Sequence, residues 1–82
     1  MNPPNAILHE LLNLAEIMLT NGAEVSRVEE TLNRMGHAYG ATQMNVFAIT
    51  SSIVVTMVFE EGEEYTQTRR ITTVSYTHLR AH

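Results

Sequence analysis

Clustered glutamate and arginine side chains have the clearest potential for chemistry in this chain. Glu24, Glu29 and Glu30 lie close together in the sequence and could act as general acids and bases or bind a cation. The more usual outcome for such a run is a solvated helix face, on which Glu24 gains from lying near a helix N-terminus. Glu30 and Arg34 are spaced for an ion pair across one helical turn, which also fits an exposed face.

Arg69 and Arg70 form the second cluster. Adjacent residues of a β-strand point to opposite faces, so one of the two guanidinium groups should lie on the side that the helices cover. There it needs a carboxylate partner. Because Arg69 shares a face with Ile71, we predict that Arg69 pairs with Glu24 or Glu29. An edge-strand charge that discourages aggregation explains the arginines equally well.

One segment comes close to a metal-binding signature. The residues from His9 to Asn13 fall one residue short of the zinc motif HExxH, because the second ligand would be Asn13, a poor ligand for zinc. The chain has no cysteine, and His37 is the only other histidine before residue 74. The sequence therefore predicts no metal site, and we expect no cofactor.

Three neighbouring hydroxyl side chains, Thr50, Ser51 and Ser52, could supply a nucleophile if a base activated one of them. His37, oriented by Glu24 or Glu29, is the available base. No G-x-S-x-G elbow surrounds the serines, so a turn explains them better. A small serine hydrolase stays an alternative, and it requires His37 within hydrogen-bond reach of a serine.

Two helices should position these groups. Apolar residues recur at steps of three and four over about 6–20 and again over about 24–39. The apolar stripe of the second segment consists of Val25, Val28, Leu32, Met35 and Tyr39. Asn21-Gly22 suits the left-handed turn that closes a helix, and Gly40 ends the second helix in the same way. The short link favours antiparallel packing of the two helices.

Beyond Gly40 the pattern changes to the alternation that is typical of strands. It predicts three strands, at about 44–50, 53–59 and 65–71. Residues 50–52 and 60–63 form the turns, and Gly62 can supply a positive φ. The predicted fold is therefore α+β: a two-helix antiparallel hairpin packed on one face of a three-stranded antiparallel β-meander.

The composition describes one small globular domain. The chain has 82 residues, 44% of them hydrophobic and 17% charged, and a chain of this length builds one core at most. A formal net charge of −4 without a basic run argues against binding nucleic acid through its phosphates. No apolar segment approaches the ~20 residues of a membrane helix, and the N-terminus lacks the positive charge of a secretory signal.

Four short segments follow one another in a recognisable order. They are NGAE at 21–24, the Arg27-Val28-Glu29 step, VFAITSSIVVT at 46–56 and TQTRRI at 66–71. In this order and spacing they resemble the N-terminal cytoplasmic domain of the bacterial threonine/serine exporter family. The resemblance covers roughly Leu11 to Ile71, which is most of the chain.

The resemblance implies a transporter rather than an enzyme. Such exporters move small hydrophilic amino acids, or small dicarboxylates in related two-protein systems, driven by an ion gradient. The soluble domain is expected at the cytoplasmic face of the bacterial inner membrane, bound to the membrane-embedded part of the transporter or to a partner subunit. A small amino acid or carboxylate is the expected ligand, and a homo-oligomer is a further expectation. Shared structural, gating or binding roles are implied for Asn21, Gly22, Glu24, Arg27, Glu29, Ser51, Thr68, Arg69 and Arg70.

Residues 74–82 resemble the translation of a transposase sequencing adapter. We therefore expect native sequence to end near Thr73, so that residues 1–73 are part of an N-terminal domain cut off before its membrane helices. A domain this small has little stability to spare, and we expect marginal stability or self-association. A free-standing small-molecule-sensing or protein-interaction module is the alternative if the coding sequence stops at that point.

Overall fold

Two helices and a three-stranded antiparallel sheet make up the fold, as the α+β prediction required. The computed structural model describes residues 3–49 and 51–71. In chain order the elements are α1 (Pro4–Thr20), α2 (Val25–Ala38), β1 (Gln43–Ile49), β2 (Ser52–Val58) and β3 (Glu64–Arg70). Thr50 and the predicted non-native tail at 74–82 lie outside the described residues.

Helix α1 begins two residues earlier than the sequence pattern predicted. Pro3 is its N-cap and Pro4 its first helical residue. Proline suits this position because its fixed φ is already helical and the first turn has no use for an N–H. The Pro3 carbonyl accepts hydrogen bonds from the N–H groups of Ala6 and Ile7, so the first turn is closed without a polar cap.

Both helices end at a glycine, as predicted. After α1, the Gly22 N–H donates to the Leu19 carbonyl and the Ala23 N–H donates to the Met18 carbonyl. This is the Schellman pattern, which needs a left-handed residue at the turn. Gly22 provides it with φ 89°, and Gly40 ends α2 in the same way with φ 107°. The sequence positions of the two glycines therefore fix where each helix stops.

The three strands follow the order β1-β2-β3, and both neighbouring pairs are antiparallel. Ser52 belongs to β2, where it lies opposite Ile49, rather than to the turn predicted at 50–52. The connection is therefore two residues long. Links of this length are the commonest in hairpins because their backbone twist matches that of the flanking strands.

The helices cover one face of the sheet, which we call the inner face. Helix α1 packs against β2 and β3, whereas α2 packs against β1. The buried core consists of Ile7, Leu8, Leu11, Leu12, Ala15, Val28, Leu32, Ala41, Met44, Ala48, Ile53, Val55, Met57 and Ile71. Of the predicted α2 stripe, Val28 and Leu32 are buried, and Val25 and Met35 are partly buried. Tyr39 is exposed instead, because α2 ends one residue before it.

The opposite face of the sheet, which we call the outer face, is covered by none of the described elements. Side chains of neighbouring strands form rows across this face. In one row, Phe47 lies opposite Val54, and Val54 lies opposite Thr68. Phe47 is 63% exposed and Ile49 is 45% exposed. Both residues belong to β1, so the most exposed apolar side chains of the outer face lie along one side of the sheet.

Candidate functional site

Arg69 is the centre of a polar contact between α1 and β3. Its Nη1 donates to Glu16 Oε1 at 2.8 Å and to Asn13 Oδ1 at 2.9 Å. Its Nη2 donates to His9 Nδ1 at 3.4 Å. We call Arg69 together with His9, Asn13 and Glu16 the polar seam. Arg69 therefore lies on the helix-covered face, as its position on the strand predicted.

The predicted partner of Arg69 was wrong. The sequence analysis paired it with Glu24 or Glu29 of the second helix, but the guanidinium group binds Glu16 of the first. The physical reason is the arrangement of the layers: β3 packs beneath α1, while α2 lies over β1 at the other side of the sheet. The glutamates of α2 are therefore on the wrong side of the domain to reach Arg69.

A pattern in α1 could have revealed this partner. Asn5, His9, Asn13 and Glu16 recur at steps of four, four and three, which places them on one helix face beside the apolar one. Gln67, two residues before Arg69 on the same face of β3, repeats the contact. Its Nε2 donates to the carbonyl of Asn5 at 3.0 Å and to its Oδ1 at 3.3 Å. A polar stripe on a helix thus meets a polar edge strand.

The ion pair in the polar seam is only partly shielded from water. The Arg69 side chain is 22% exposed and that of Glu16 is 37% exposed. A pair of this kind contributes about 1 kcal/mol at most, well below the strength of a fully buried pair. Its larger effect is geometric, because three acceptors on one helix face fix the position of α1 along β3.

We expect Arg69→Ala to lower the free energy of unfolding by about 1–2 kcal/mol, because Glu16 and Asn13 lose their common partner. Urea denaturation of the purified chain would measure the change. Arg70→Ala is the matched control, since Arg70 is the next residue and lies exposed on the outer face. It should change stability by less than about 0.5 kcal/mol. Equal losses for the two variants would contradict a role for the polar seam.

The contacts of β3 show that α1 and β3 run in the same direction. Gln67 contacts Asn5 early in α1, whereas Arg69 contacts Glu16 near its end. The residue after β3 donates its N–H to the Ser51 carbonyl at 2.9 Å, so the β1–β2 connection lies at this end too. We call it the Gly22 end of the domain. The predicted site residues at or beside it are Asn21, Gly22, Glu24, Arg27, Ser51, Thr68 and Arg70.

The predicted site residues of α2 lie on the surface rather than in a charged cluster. Asn21 closes α1 by donating from Nδ2 to the Ile17 carbonyl at 2.7 Å. Glu24 is the N-cap residue of α2, but its side chain makes no capping hydrogen bond. Glu24 and Arg27 are exposed and Glu29 is half-buried. These side chains therefore lie at the surface and form no ion pair with one another.

The geometry excludes the serine hydrolase that required His37. Its Nδ1–H donates to the Ala41 carbonyl at 2.8 Å, just before β1 begins. Ser51 and Ser52 follow the other end of β1, and a strand of this length separates the two ends by about 20 Å. His37 therefore cannot activate either serine, and this alternative was wrong.

A groove of about 470 Å³ lies at the end of the domain opposite the Gly22 end. Its lining includes the rings of Tyr39, Phe59 and Tyr65, the carboxylates of Glu60, Glu61 and Glu63, and Pro4, Ile7 and Gly40 from the helix ends. The start of α1 and the end of α2 meet in it, so the two helices run in opposite directions. The sequence analysis saw only a turn at 60–63, because the walls of the groove come from three separate segments.

The groove is chemically suited to a cation. Phe59 and Tyr65 pack edge to face with ring centroids 6.0 Å apart, and the Tyr65 hydroxyl donates to Glu63 Oε1 at 3.3 Å. Desolvation raises the pKa of Tyr65 above 10.0, and the charges of Glu63 and Glu61 and the Glu63 hydrogen bond raise it further. Carboxylates and ring faces attract ammonium or guanidinium groups. Among the described residues, the lining of this groove has no cationic side chain, so the groove suits a free carboxylate poorly. The small amino acid or carboxylate ligand expected from the sequence stays a prediction.

Residues 3–49 and 51–71 provide neither a metal-binding cluster nor a membrane-spanning helix. No group of three or more histidine, cysteine, aspartate or glutamate side chains there could hold a metal ion. Within the same residues, neither helix is both long enough and apolar enough to cross a membrane.

The family comparison agrees with the resemblance seen in the sequence. The model of the ThrE family, described as "Putative threonine/serine exporter", matches residues 9–81. The match includes the polar seam, the Gly22 end and all three strands. It also includes residues 74–81 of the tail, whose non-native origin stays a prediction. Neither a curated protein nor a solved structure shows significant similarity to this chain.

Proposed function

Because the chain belongs to the threonine/serine exporter family, we propose that it forms the cytoplasmic N-terminal part of a membrane transporter that exports small amino acids. The observation that carries the proposal is the family match over residues 9–81, which covers nearly the whole chain. The short helix hairpin and the three-stranded sheet are then a soluble module beside the membrane-embedded part. Small dicarboxylates are the alternative cargo.

In this proposal the module positions the transporter and does not react with its substrate. Ser51 and Ser52 lie about 20 Å from His37, at the other end of β1, and Glu24, Arg27 and Arg70 are exposed on the surface. The Gly22 end exposes Glu24, Arg27 and Arg70, which have both signs of charge. We propose that this end contacts the membrane-embedded part or a partner subunit, because exposed charges of mixed sign set the orientation of a partner.

Export by the complete protein is the direct test. The full coding sequence would be expressed in bacteria that lack other threonine exporters, and threonine and serine would be measured in the medium after the cells are loaded. We expect faster efflux than in cells that express this 82-residue chain alone. Absence of increased efflux for threonine, serine and small dicarboxylates would contradict the proposed activity. A coding sequence that stops near residue 73, with no membrane segment, would favour the free-standing sensing or interaction module.

Charge reversal at the Gly22 end tests the proposed contact surface. In the complete transporter, Arg27→Glu should lower efflux about fivefold at unchanged protein level, because it places like charge against the partner surface. Arg34→Glu is the matched control, since Arg34 is also exposed on α2 but lies two turns further from the Gly22 end. It should leave efflux nearly unchanged. Equal effects of the two substitutions on efflux would contradict a contact at the Gly22 end.

A further inference from the structure

Both outer strands of the sheet, β1 and β3, are edge strands, and β1 is the less protected of the two. Within residues 3–49 and 51–71, β1 pairs with β2 alone, so its other side has no strand partner. An exposed strand edge presents a row of unpaired N–H and C=O groups, which is a template for another strand. We propose that β1 pairs with β1 of a second copy of this chain, so that two domains share one six-stranded sheet.

The hydrogen bonds of the sheet identify which main-chain groups point outward from β1. The Ile71 N–H donates to the Ser51 carbonyl, and the Phe59 N–H donates to the Glu63 carbonyl. Main-chain groups alternate sides along a strand, so the odd-numbered residues of β2 face β3 and the even-numbered residues face β1. The residues of β1 opposite those even positions are odd-numbered. The main-chain N–H and C=O groups of Met44, Val46 and Ala48 therefore point away from β2, out of the open edge.

The two edges of the sheet differ in protection. The edge strand β3 carries Glu64, Arg70 and the inward-facing Arg69, and charges of this kind discourage strand addition. By contrast, β1 reads QMNVFAI and contains no charged residue, proline or glycine. Its side chains therefore place no like charges opposite each other when two copies pair. This absence of repulsion favours a second copy as the partner.

Two-fold symmetry and the largest number of hydrogen-bonded pairs together select one register. Only residues whose main-chain groups point outward can exchange hydrogen bonds, and Val46 is the central one of the three. Antiparallel pairing centred on Val46 therefore places Val46 opposite its copy and Met44 opposite Ala48. Each of the three pairs exchanges two hydrogen bonds, which gives about six hydrogen bonds between the two β1 strands.

The same register also covers an exposed aromatic ring. With Val46 opposite its copy, Phe47 lies opposite Asn45 of the second chain. The two Phe47 side chains are then diagonal neighbours on the outer face, a separation that aromatic rings can bridge. Phe47 is 63% exposed in the single chain. The register with the most main-chain hydrogen bonds thus also brings the two rings within reach of each other.

The oligomeric state of the purified chain tests the proposal. Sedimentation measured at increasing concentration should show conversion from 9.2 kDa to twice that mass. We expect a weak dimer, because a single pair of strands makes a small interface. Phe47→Lys should raise the dissociation constant by about tenfold or more, since it adds charge to the edge and removes the ring contact. Circular dichroism would confirm that the variant keeps its fold.

Thr68→Lys is the matched control. Thr68 lies in the same row of the outer face as Phe47, but on β3. Edge pairing through β1 predicts that this variant still dimerises like the parent chain. Loss of the dimer in both lysine variants would assign the contact to the outer face instead, and would overturn the proposal. A parent chain that stays monomeric up to about 1 mM would overturn it as well.

A single cysteine tests the register. The chain has no cysteine, so Val46→Cys can form only an intermolecular disulfide. Directly opposite residues in a hydrogen-bonded antiparallel pair have Cα atoms about 5.5 Å apart, within disulfide range. We expect Val46→Cys to oxidise to a covalent dimer faster than Thr68→Cys does. Equal rates would contradict a two-fold axis at Val46. The outcome is independent of the transport assay, because it uses the soluble chain alone.

Discussion

Replacing Leu32 with alanine is expected to lower the free energy of unfolding by about 2–5 kcal/mol. Leu32 lies in the middle of α2, and its side chain is completely buried against the sheet. The substitution removes that packing and leaves a cavity. Because a core of this size supplies only about 3–5 kcal/mol in total, we expect a large unfolded fraction at room temperature. Urea or thermal denaturation followed by circular dichroism would measure the loss.

Ile17→Ala is the control for this prediction. Ile17 is also a large aliphatic residue in a helix, but it is 59% exposed. Its truncation should change stability by less than about 0.5 kcal/mol. If Leu32→Ala lowered the free energy of unfolding as little as Ile17→Ala, the result would contradict the packing of Leu32 against the sheet.

Gly36→Leu is expected to destabilise the domain by about 2 kcal/mol. Gly36 is buried in α2, and a β-carbon at this position would overlap the side chain of Met44 on β1. Overpacking of this kind commonly costs about 1–3 kcal/mol, and a whole leucine side chain belongs at the upper end. Leucine is a better helix former than glycine, and this recovers about 1 kcal/mol of the overpacking cost. Chemical denaturation would measure the net change.

Two further variants identify the cause. Ala38→Leu places the same side chain at an exposed position of α2, where it should change stability by less than about 0.5 kcal/mol. Met44→Ala combined with Gly36→Leu should recover part of the stability, because the two positions compete for the same space. Additive losses in the double variant would show that Met44 is not the obstacle.

Periodicity was sufficient to predict the elements. The steps of three and four that end at Gly22 and Gly40 mark two helices, and the alternation after Gly40 marks three strands. Differences are confined to element ends, such as the early start of α1 at Pro4 and the inclusion of Ser52 in β2. These boundaries depend on local hydrogen bonding, which an apolar pattern does not encode.

The contacts of Arg69 needed more than periodicity. Strand alternation placed this residue on the covered face, but it could not say which helix lies above β3. That choice depends on how the layers pack, and the prediction named Glu24 or Glu29 instead of Glu16 of α1. The polar positions from Asn5 to Glu16 on α1 carried the missing information. The close approach of Gly36 to Met44 had no comparable signal, because it joins two elements whose crossing point the sequence does not specify.

The polar seam also has a consequence for how the domain is made. Arg69 and Asn13 are 56 positions apart in the sequence, whereas the helix pair and both strand pairs join chain neighbours. Contacts between distant residues form late, since a long loop must close first. During synthesis α1 leaves the ribosome before β3. The part of α1 that packs on β3 has no partner until that strand is made. Until β3 is made, the apolar surface of α1 that this strand covers stays exposed on the growing chain, where it favours aggregation.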